Sequence, residues 1–350
     1  MSERAGIPQK FIADYIWVGG NGEFRSKTRV ITVKPNQTSV TLNDLPEWNY
    51  DGSSTNQAQG HDSEVVIIPR ALYRNPFTMS NDVFVICDTY TPDFKPHPTN
   101  TRAAAQKIFN DYLDMKPWYG MEQEYFIIDP DTNLPVGYKH GTSQGTHYCG
   151  AGAENVFGRT IADQHMTLCV RAGINISGIN AEVAPGQWEF QVGPCEGIQA
   201  GDDMLMARYL LIRLAETKNL KITFEPKPLK GDWNGSGCHT NFSTLNMRDG
   251  DKSSDGKTGL EYIEKAIKCL ERDHTEMMKH YGSGNEERMT GQHETADYSV
   301  FSHGVANRGA SVRIGNETYR NKKGYFEDRR PSSNCDPYVV TSLIMKSITS

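Results

Sequence analysis

Trp118-Tyr119-Gly120-Met121-Glu122-Gln123-Glu124-Tyr125-Phe126 places two carboxylates two residues apart in a segment that otherwise reads as a buried β-strand. Side chains alternate along a strand, so Glu122 and Glu124 share one face. A Glu-x-Glu pair alone is compatible with a solvated sheet edge. Flanked by Trp, Tyr and Phe, two like charges lose hydration and repel unless a cation or an extended ligand lies against them. The stretch therefore predicts a metal-bearing strand face, and further carboxylates in apolar surroundings would support it.

Asn180-Ala181-Glu182-Val183-Ala184-Pro185-Gly186-Gln187-Trp188-Glu189-Phe190 repeats the problem. Pro185-Gly186 reads as a two-residue hairpin turn, which would pair Ala184 with Gln187, Val183 with Trp188 and Glu182 with Glu189. Like charges directly opposite each other are destabilising unless something positive sits between them. In Gly231-Asp232-Trp233-Asn234-Gly235-Ser236-Gly237-Cys238-His239, glycines that let backbone approach a ligand precede His239, raising it above the other histidines. Three basic and acidic segments follow: Arg288 to Thr295, Asn307 to Arg313 and Tyr325 to Pro331. Arg308 and Arg313 are either surface ion-pair partners or an anion clamp opposite a cation cluster, the arrangement of phosphoryl transfer. Five glutamates and one histidine (Glu122, Glu124, Glu182, Glu189, Glu327, His239) favour Mg²⁺ or Mn²⁺ over zinc, with room for two or three ions.

The 350 residues suffice for two domains, and 37 Lys plus Arg against 43 Asp plus Glu leave no basic block for nucleic acid or an anionic membrane. Seven scattered cysteines without a Cys-x-x-Cys pair read as reduced thiols. Met1 to Pro8 has no apolar leader and no run reaches bilayer length, so the expected location is cytoplasmic.

Short runs at Ile12–Val18, Arg29–Val33, Glu64–Ile68 and Val83–Asp88 predict a small β-rich unit, with Glu47 to Gln57 as a polar loop tip between the second and third. Three prolines between Pro92 and Pro98 mark a boundary. Beyond it the pattern predicts helices from Asn100 or Thr101 to before Pro117, and near 159–172, 201–218 and 258–280. Strands are predicted near 118–126, 180–192 and 221–225. Gly250 to Thr258 resembles a phosphate loop, but its glycines are one residue too far apart, and it reads as a solvated segment capping the 258–280 helix.

The chain resembles glutamine synthetases of the shorter eukaryotic class over nearly its whole length. The resemblance rests on WNYDGSST (48–55), WYGMEQEY (118–125), NAEVAPGQWEF (180–190), WNGSGCHTNFS (233–243), RMTGQHET (288–295), GVANRGASVR (304–313) and GYFEDRRP (324–331), in the family's order. It implies an α+β fold, with an N-terminal segment over 1–11, a β-grasp domain over 12–94 and an α+β catalytic domain over 95–350 whose antiparallel sheet lines the active site. The implied reaction is ATP-dependent ligation of ammonia to the γ-carboxyl of L-glutamate through γ-glutamyl phosphate.

The resemblance also implies roles. Glu124, Glu182 and Glu189 match the ligands of one divalent ion, and Glu122, His239 and Glu327 those of a second. Arg308 and Arg313 match the arginines at the transferring phosphoryl group, and Arg288, Arg329, Asn234 and Gly235 match positions that hold glutamate. Asn241, Ser243 and Tyr325, with Glu122, Glu189, His239, Arg308 and Arg313, match nucleotide contacts. Asp51 matches the aspartate that binds and deprotonates ammonium, and Glu294 the flap residue that shields the acyl phosphate. Two stacked pentameric rings, each site shared between neighbours, are implied as well. Gln59, Ser236 and Ile314-Gly315-Asn316 depart from the family pattern. Two other readings stay open: a ligase for an amine larger than ammonia, which Asp51 and Glu294 argue against, and a silent structural relative, which the six retained ligand positions argue against.

Overall fold

A computed structural model describes residues 9–78, 80–139, 141, 143–250 and 255–350. The leader reading for Met1 to Pro8 and residues 251–254 of the Gly250 to Thr258 loop lie outside these residues. The chain forms two compact units, one of residues up to Ala104 with Leu168–Ile174, the other of Ala105–Thr167 with Asn175–Ser350. The fold is α+β, as expected. Among the described residues no helix is long and apolar enough to cross a membrane, and all seven cysteines are free thiols.

The smaller unit holds a five-stranded mixed sheet of β1 (Gln9–Val18), β2 (Phe24–Val33), β3 (Trp48–Asp51), β4 (Glu64–Arg74) and β5 (Val83–Tyr90), ordered β2-β1-β5-β4-β3. Strand β1 runs parallel to β5; the other neighbours are antiparallel. Phe11, Ala13, Tyr15 and Trp17 alternate into a core with Ile31, Val33, Val65, Ile67 and Val85, each large side chain contributing roughly 1.5–3 kcal/mol by leaving water. Strand β3 corrects the expected loop tip. Trp48 and Tyr50 face this core, Trp48 edge-to-face with Tyr15 and Tyr50 stacked on Trp17, while Asn49 and Asp51 face outward, and the polar letters hid the alternation.

The larger unit holds a nine-stranded sheet. Its strands are β6 (Trp118–Asp129), β7 (Leu134–Pro135), β8 (Ile176–Ala181), β9 (Gln187–Glu196), β10 (Lys221–Thr223), β11 (Cys238–Ser243), β12 (His303–Val305), β13 (Val312–Ile314) and β14 (Phe326–Asp328). The order is β12-β13-β14-β11-β6-β9-β8, with β7 and β10 also on β6. The central strand β6 is antiparallel to both β9 and β11. Helices Ile198–Thr217 and Pro337–Thr349 cover one sheet face. There Tyr119 donates to the Thr341 carbonyl at 2.9 Å, and the buried Arg208 guanidinium donates to Gln123 at 2.7 Å and to the Cys335 carbonyl at 2.7 Å. Met121, Gln123 and Tyr125 are therefore buried, and Glu122 and Glu124 point to the other face, as the alternation predicts.

The predicted helices are present at Thr101–Asp111, Arg159–Ala172 and Ile198–Thr217, and the strand near 221–225 is β10. The one expected over 258–280 is divided into Gly259–Arg272 and His274–Met278. Thr258 caps its start in a reciprocal box with Glu261. The break falls at Asp273, whose carboxylate accepts from Arg272 and Ser347, so a tertiary tie interrupts a pattern whose apolar stripe continues.

Candidate active site

Opposed residues of an antiparallel pair share a sheet face, and the register assembles the site by that rule. Glu122 is opposite His239 on β11 and Gln191 on β9; Glu124 is opposite Glu189; Glu327 on β14 is opposite both Asn241 on β11 and Arg313 on β13. One face of four neighbouring strands thus carries Glu122, Glu124, Glu189, His239 and Glu327.

The expected Glu182–Glu189 pairing is corrected. Ala181 is opposite Trp188 and Asn180 opposite Glu189, so Glu182 belongs to a five-residue connection. Gly186 has φ +68°, and the Gln187 amide donates to the Ala184 carbonyl at 3.2 Å, the geometry of a type II turn with Pro185 and Gly186 at its centre. That turn splays strands where a two-residue hairpin needs the opposite twist. The like-charge opposition exists, but between Glu189 and Glu124.

Glu122, Glu124, Glu189 and His239 border a cavity of about 520 Å³ that is also lined by Glu182, Asn234, Gly235, Arg288, Glu294, Arg308, Arg313 and Arg329, with Glu327 buried behind His239. Glu122, His239 and Glu327 each offer a donor atom within 4.8 Å of the other two. The His239 Nδ1 stands 3.7 Å from Glu122 Oε2 and 3.4 Å from Glu327 Oε1. Oxygen and nitrogen ligands of a magnesium-sized ion at about 2.1 Å are about 3.0 Å apart when adjacent and about 4.2 Å when opposite, so the triad has the dimensions of such a site. Glu327 also accepts from Arg329 Nη1 at 2.7 Å and from Arg313 Nε.

Burial, with the neighbouring carboxylates, raises Glu182 to about 8 and Glu189 to about 9; burial lifts Glu124 to about 7 against the pull of the Gly237 amide. Burial, then the Arg329 guanidinium, holds the His239 imidazole well below its ordinary range, so it is neutral and able to ligate. Gly237 has a steric reason to lack a side chain. A Cβ there would lie 2.8 Å from Arg288 Nη1 and 3.1 Å from His239 Nε2, while its amide donates to Glu124 Oε2 at 2.9 Å. Arg288 is fixed by Asn285 Oδ1 at 3.0 Å and by the carbonyls of Arg329, Arg330 and Pro331.

A second, more apolar cavity of about 540 Å³ lies beside the first, lined by Trp118, Tyr119, Met121, Pro194 and Phe242 together with Asn241, Ser243 and Tyr325; Glu122 borders both. Asn241 donates to Glu122 Oε1 at 2.8 Å and Ser243 accepts from Arg248 at 2.9 Å. Asp51 belongs to the smaller unit, exposed at the end of β3, where the Ser53 hydroxyl and amide and the Ser54 hydroxyl hold its carboxyl below the ordinary carboxylate range.

Sequence reasoning did not nominate Gln144, Tyr148, Asn180, Gln187 or His293. Tyr148, Asn180, Gln187 and His293 line the first cavity. Gln144 donates to His293, and Gln187 donates to Ser236 Oγ at 3.3 Å and to the Gly235 carbonyl at 3.1 Å. Strand alternation from Glu189 would have found Gln187, and also Gln191, which donates to Asn180 and to Glu189. The loop residues leave no periodic signal.

Residues 98–350 match the family described as glutamine synthetase, catalytic domain. The chain is 54% identical over 345 residues to a glutamine synthetase nodule isozyme of Lupinus luteus, covering 97% of this chain and 95% of that one. It is 55% identical to a cytosolic isozyme of Medicago sativa, covering 96% and 93%, and 53% identical to cytosolic isozyme 1-1 of Oryza sativa subsp. japonica, covering 97% and 94%. Among solved structures it is similar to one titled "Apo GmaS without ligand", with a TM-score of 0.73 and 19% identity over 96% of this chain and 76% of that one, a likeness of fold. With this identity along nearly all of its length, the chain belongs to the glutamine synthetase family, ATP-dependent carbon–nitrogen ligases that use divalent metals and make glutamine from glutamate and ammonium.

Proposed function

We propose that the first cavity is where glutamate is activated and that the second holds the nucleotide. The carrying observation is the Glu122, His239 and Glu327 triad, of which Glu122 and His239 line the same cavity as Glu124, Glu182 and Glu189. In this reading Glu124, Glu182 and Glu189 hold one Mg²⁺ or Mn²⁺ and the triad a second, two to three ions in all. Bound there, the ions supply charge neutralisation between carboxylate clusters and phosphate oxygens.

A carboxylate is a poor electrophile, and transfer of the ATP γ-phosphoryl gives it a leaving group. Arg308 and Arg313 stabilise charge on the phosphoryl group in flight. Arg313 bonds Glu327 in the present arrangement, so it exchanges or shares that partner. Arg288, Arg329, Asn234 and the Gly235 backbone orient the amino acid, while Asn241, Ser243 and Tyr325 seat the nucleotide along with Glu122, Glu189 and His239.

Asp51 binds ammonium and takes its proton, because the cation prevails near neutral pH yet has no lone pair for attack. Glu294 shields the acyl phosphate from water. We further assign residues 12–94 to a β-grasp domain and 95–350 to the catalytic domain, the protein to the cytosol, and its assembly to two stacked pentameric rings with Asp51 given to a neighbour's site. The names of the cytosolic relatives support the location.

The test is Glu327→Ala, expected to abolish glutamine formation with folding near normal; an active variant would remove Glu327 from the site. Assaying phosphate release with ammonium against a panel of amines tests the nucleophile, and a preference for a polyamine would overturn ammonium.

A further inference from the structure

The segment Arg288–Thr295 brings Glu294 to the same cavity as Asn234, yet its backbone is held in an unfavourable shape. His293 and Glu294 have consecutive positive φ values, 53° and 60°, each strained for a residue with a side chain. Such pairs persist where surrounding contacts impose them. One contact is Arg329 Nη2 donating to the Glu294 carbonyl at 3.1 Å. The others converge on the His293 ring, whose Nδ1 is 3.1 Å from Gln144 Nε2 and whose Nε2 is 3.0 Å from Asp232 Oδ1.

The direction of these bonds follows from their far end. The Asn234 backbone amide, which can only donate, points to Gln144 Oε1 at 2.7 Å. The Gln144 NH₂ therefore faces His293 and donates to Nδ1, which must carry a lone pair. The ring proton is then on Nε2, directed at Asp232. A single donor chain runs from the glutamate-holding loop through Gln144 to the loop that carries Glu294.

We propose that Gln144 and His293 are positioning residues that latch the Glu294 loop to the Asn234 loop, so that shielding of the acyl phosphate is registered to the segment holding the amino acid. The inference rests on reading Glu294 as the shield. The Gln144 tie carries the latch, because the Asp232 side chain is 94% exposed and a hydrogen bond to so exposed a carboxylate competes with water. A loosened loop admits water, which attacks the acyl phosphate to return glutamate and inorganic phosphate without glutamine.

The experiment measures phosphate released per glutamine formed, in the full-length enzyme with ATP, glutamate and ammonium. His293→Asn keeps an acceptor near the Nδ1 position, whereas His293→Gln keeps only the outer donor and Gln144→Leu removes both bonds of the amide. Loss of one such hydrogen bond predicts about fivefold more phosphate per glutamine for His293→Gln and Gln144→Leu. His293→Asn and Asp232→Asn are expected within about twofold of the parent. A parental ratio in folded His293→Gln and Gln144→Leu would overturn the latch, as would Asp232→Asn uncoupling as strongly as His293→Gln. Glu294→Ala run alongside separates the two levels. If it uncouples while His293→Gln does not, only the latch fails; if it keeps the parental ratio, the reading of Glu294 itself fails.

Discussion

At the scale of single residues the site is a set of carboxylates held where they repel. Glu189 is buried, faces Glu124 across the sheet and is raised to about 9, so as a proposed metal ligand it would have to give up a proton to the ion at neutral pH. Glu189→Gln is expected to retain the fold, to weaken Mn²⁺ binding by at least about tenfold, and to release fewer protons on metal addition. Titration calorimetry in two buffers of different ionisation enthalpy checks both, and unchanged affinity with unchanged proton release would take Glu189 out of the metal site. The face bearing Glu122 and Glu124 was legible from letters alone, because strand alternation against flanking aromatics leaves few alternatives. Glu182 was legible as a member of the cluster but not in its place, since its position depends on a turn type that the Pro-Gly pair does not settle.

Elements carry the next level. The type II turn at Ala184–Gln187 lies in the connection that joins β8 to β9 and carries Glu182. Gly186 has φ +68° and a Cβ there would lie 3.0 Å from the Val136 carbonyl oxygen. Gly186→Ala is expected to cost at least about 1 kcal/mol of stability and to lower metal affinity through the displaced turn. Urea unfolding and metal titration measure the two, and a variant as stable as the parent would show that the turn is not strained. Helices with strong apolar periodicity were readable because burial imposes the period. The break at Asp273 and the strand Trp48–Asp51 were not, because a side-chain tie in the first case and outward polar residues in the second override the pattern. Nothing in the letters joined Gln144 to His293, since 149 positions separate them and neither lies in a periodic element.

For the whole molecule, the raised carboxylates link stability to pH. Glu124, Glu182 and Glu189 start from an ordinary value of 4.5 and rise to about 7, 8 and 9 in the folded chain. Between those limits the folded state binds protons that the unfolded state has lost, so stability of the metal-free protein falls as pH rises from about 5 to about 9. In the proposed reading divalent metal would replace the protons and remove that slope. Melting curves in chelator and in excess Mg²⁺ across this range are expected to diverge with rising pH; parallel curves would show that the three groups do not titrate as a metal-linked cluster.

The central claim is that dispersed acidic side chains meet in one pocket because divalent ions sit among them. Direct counting of Mn²⁺ bound per chain at neutral pH, by electron paramagnetic resonance of free ion during titration, tests it most directly. The account predicts at least two ions per chain in the parent and one fewer in Glu327→Ala. A parent that binds none, or a variant that binds as many as the parent, would contradict it.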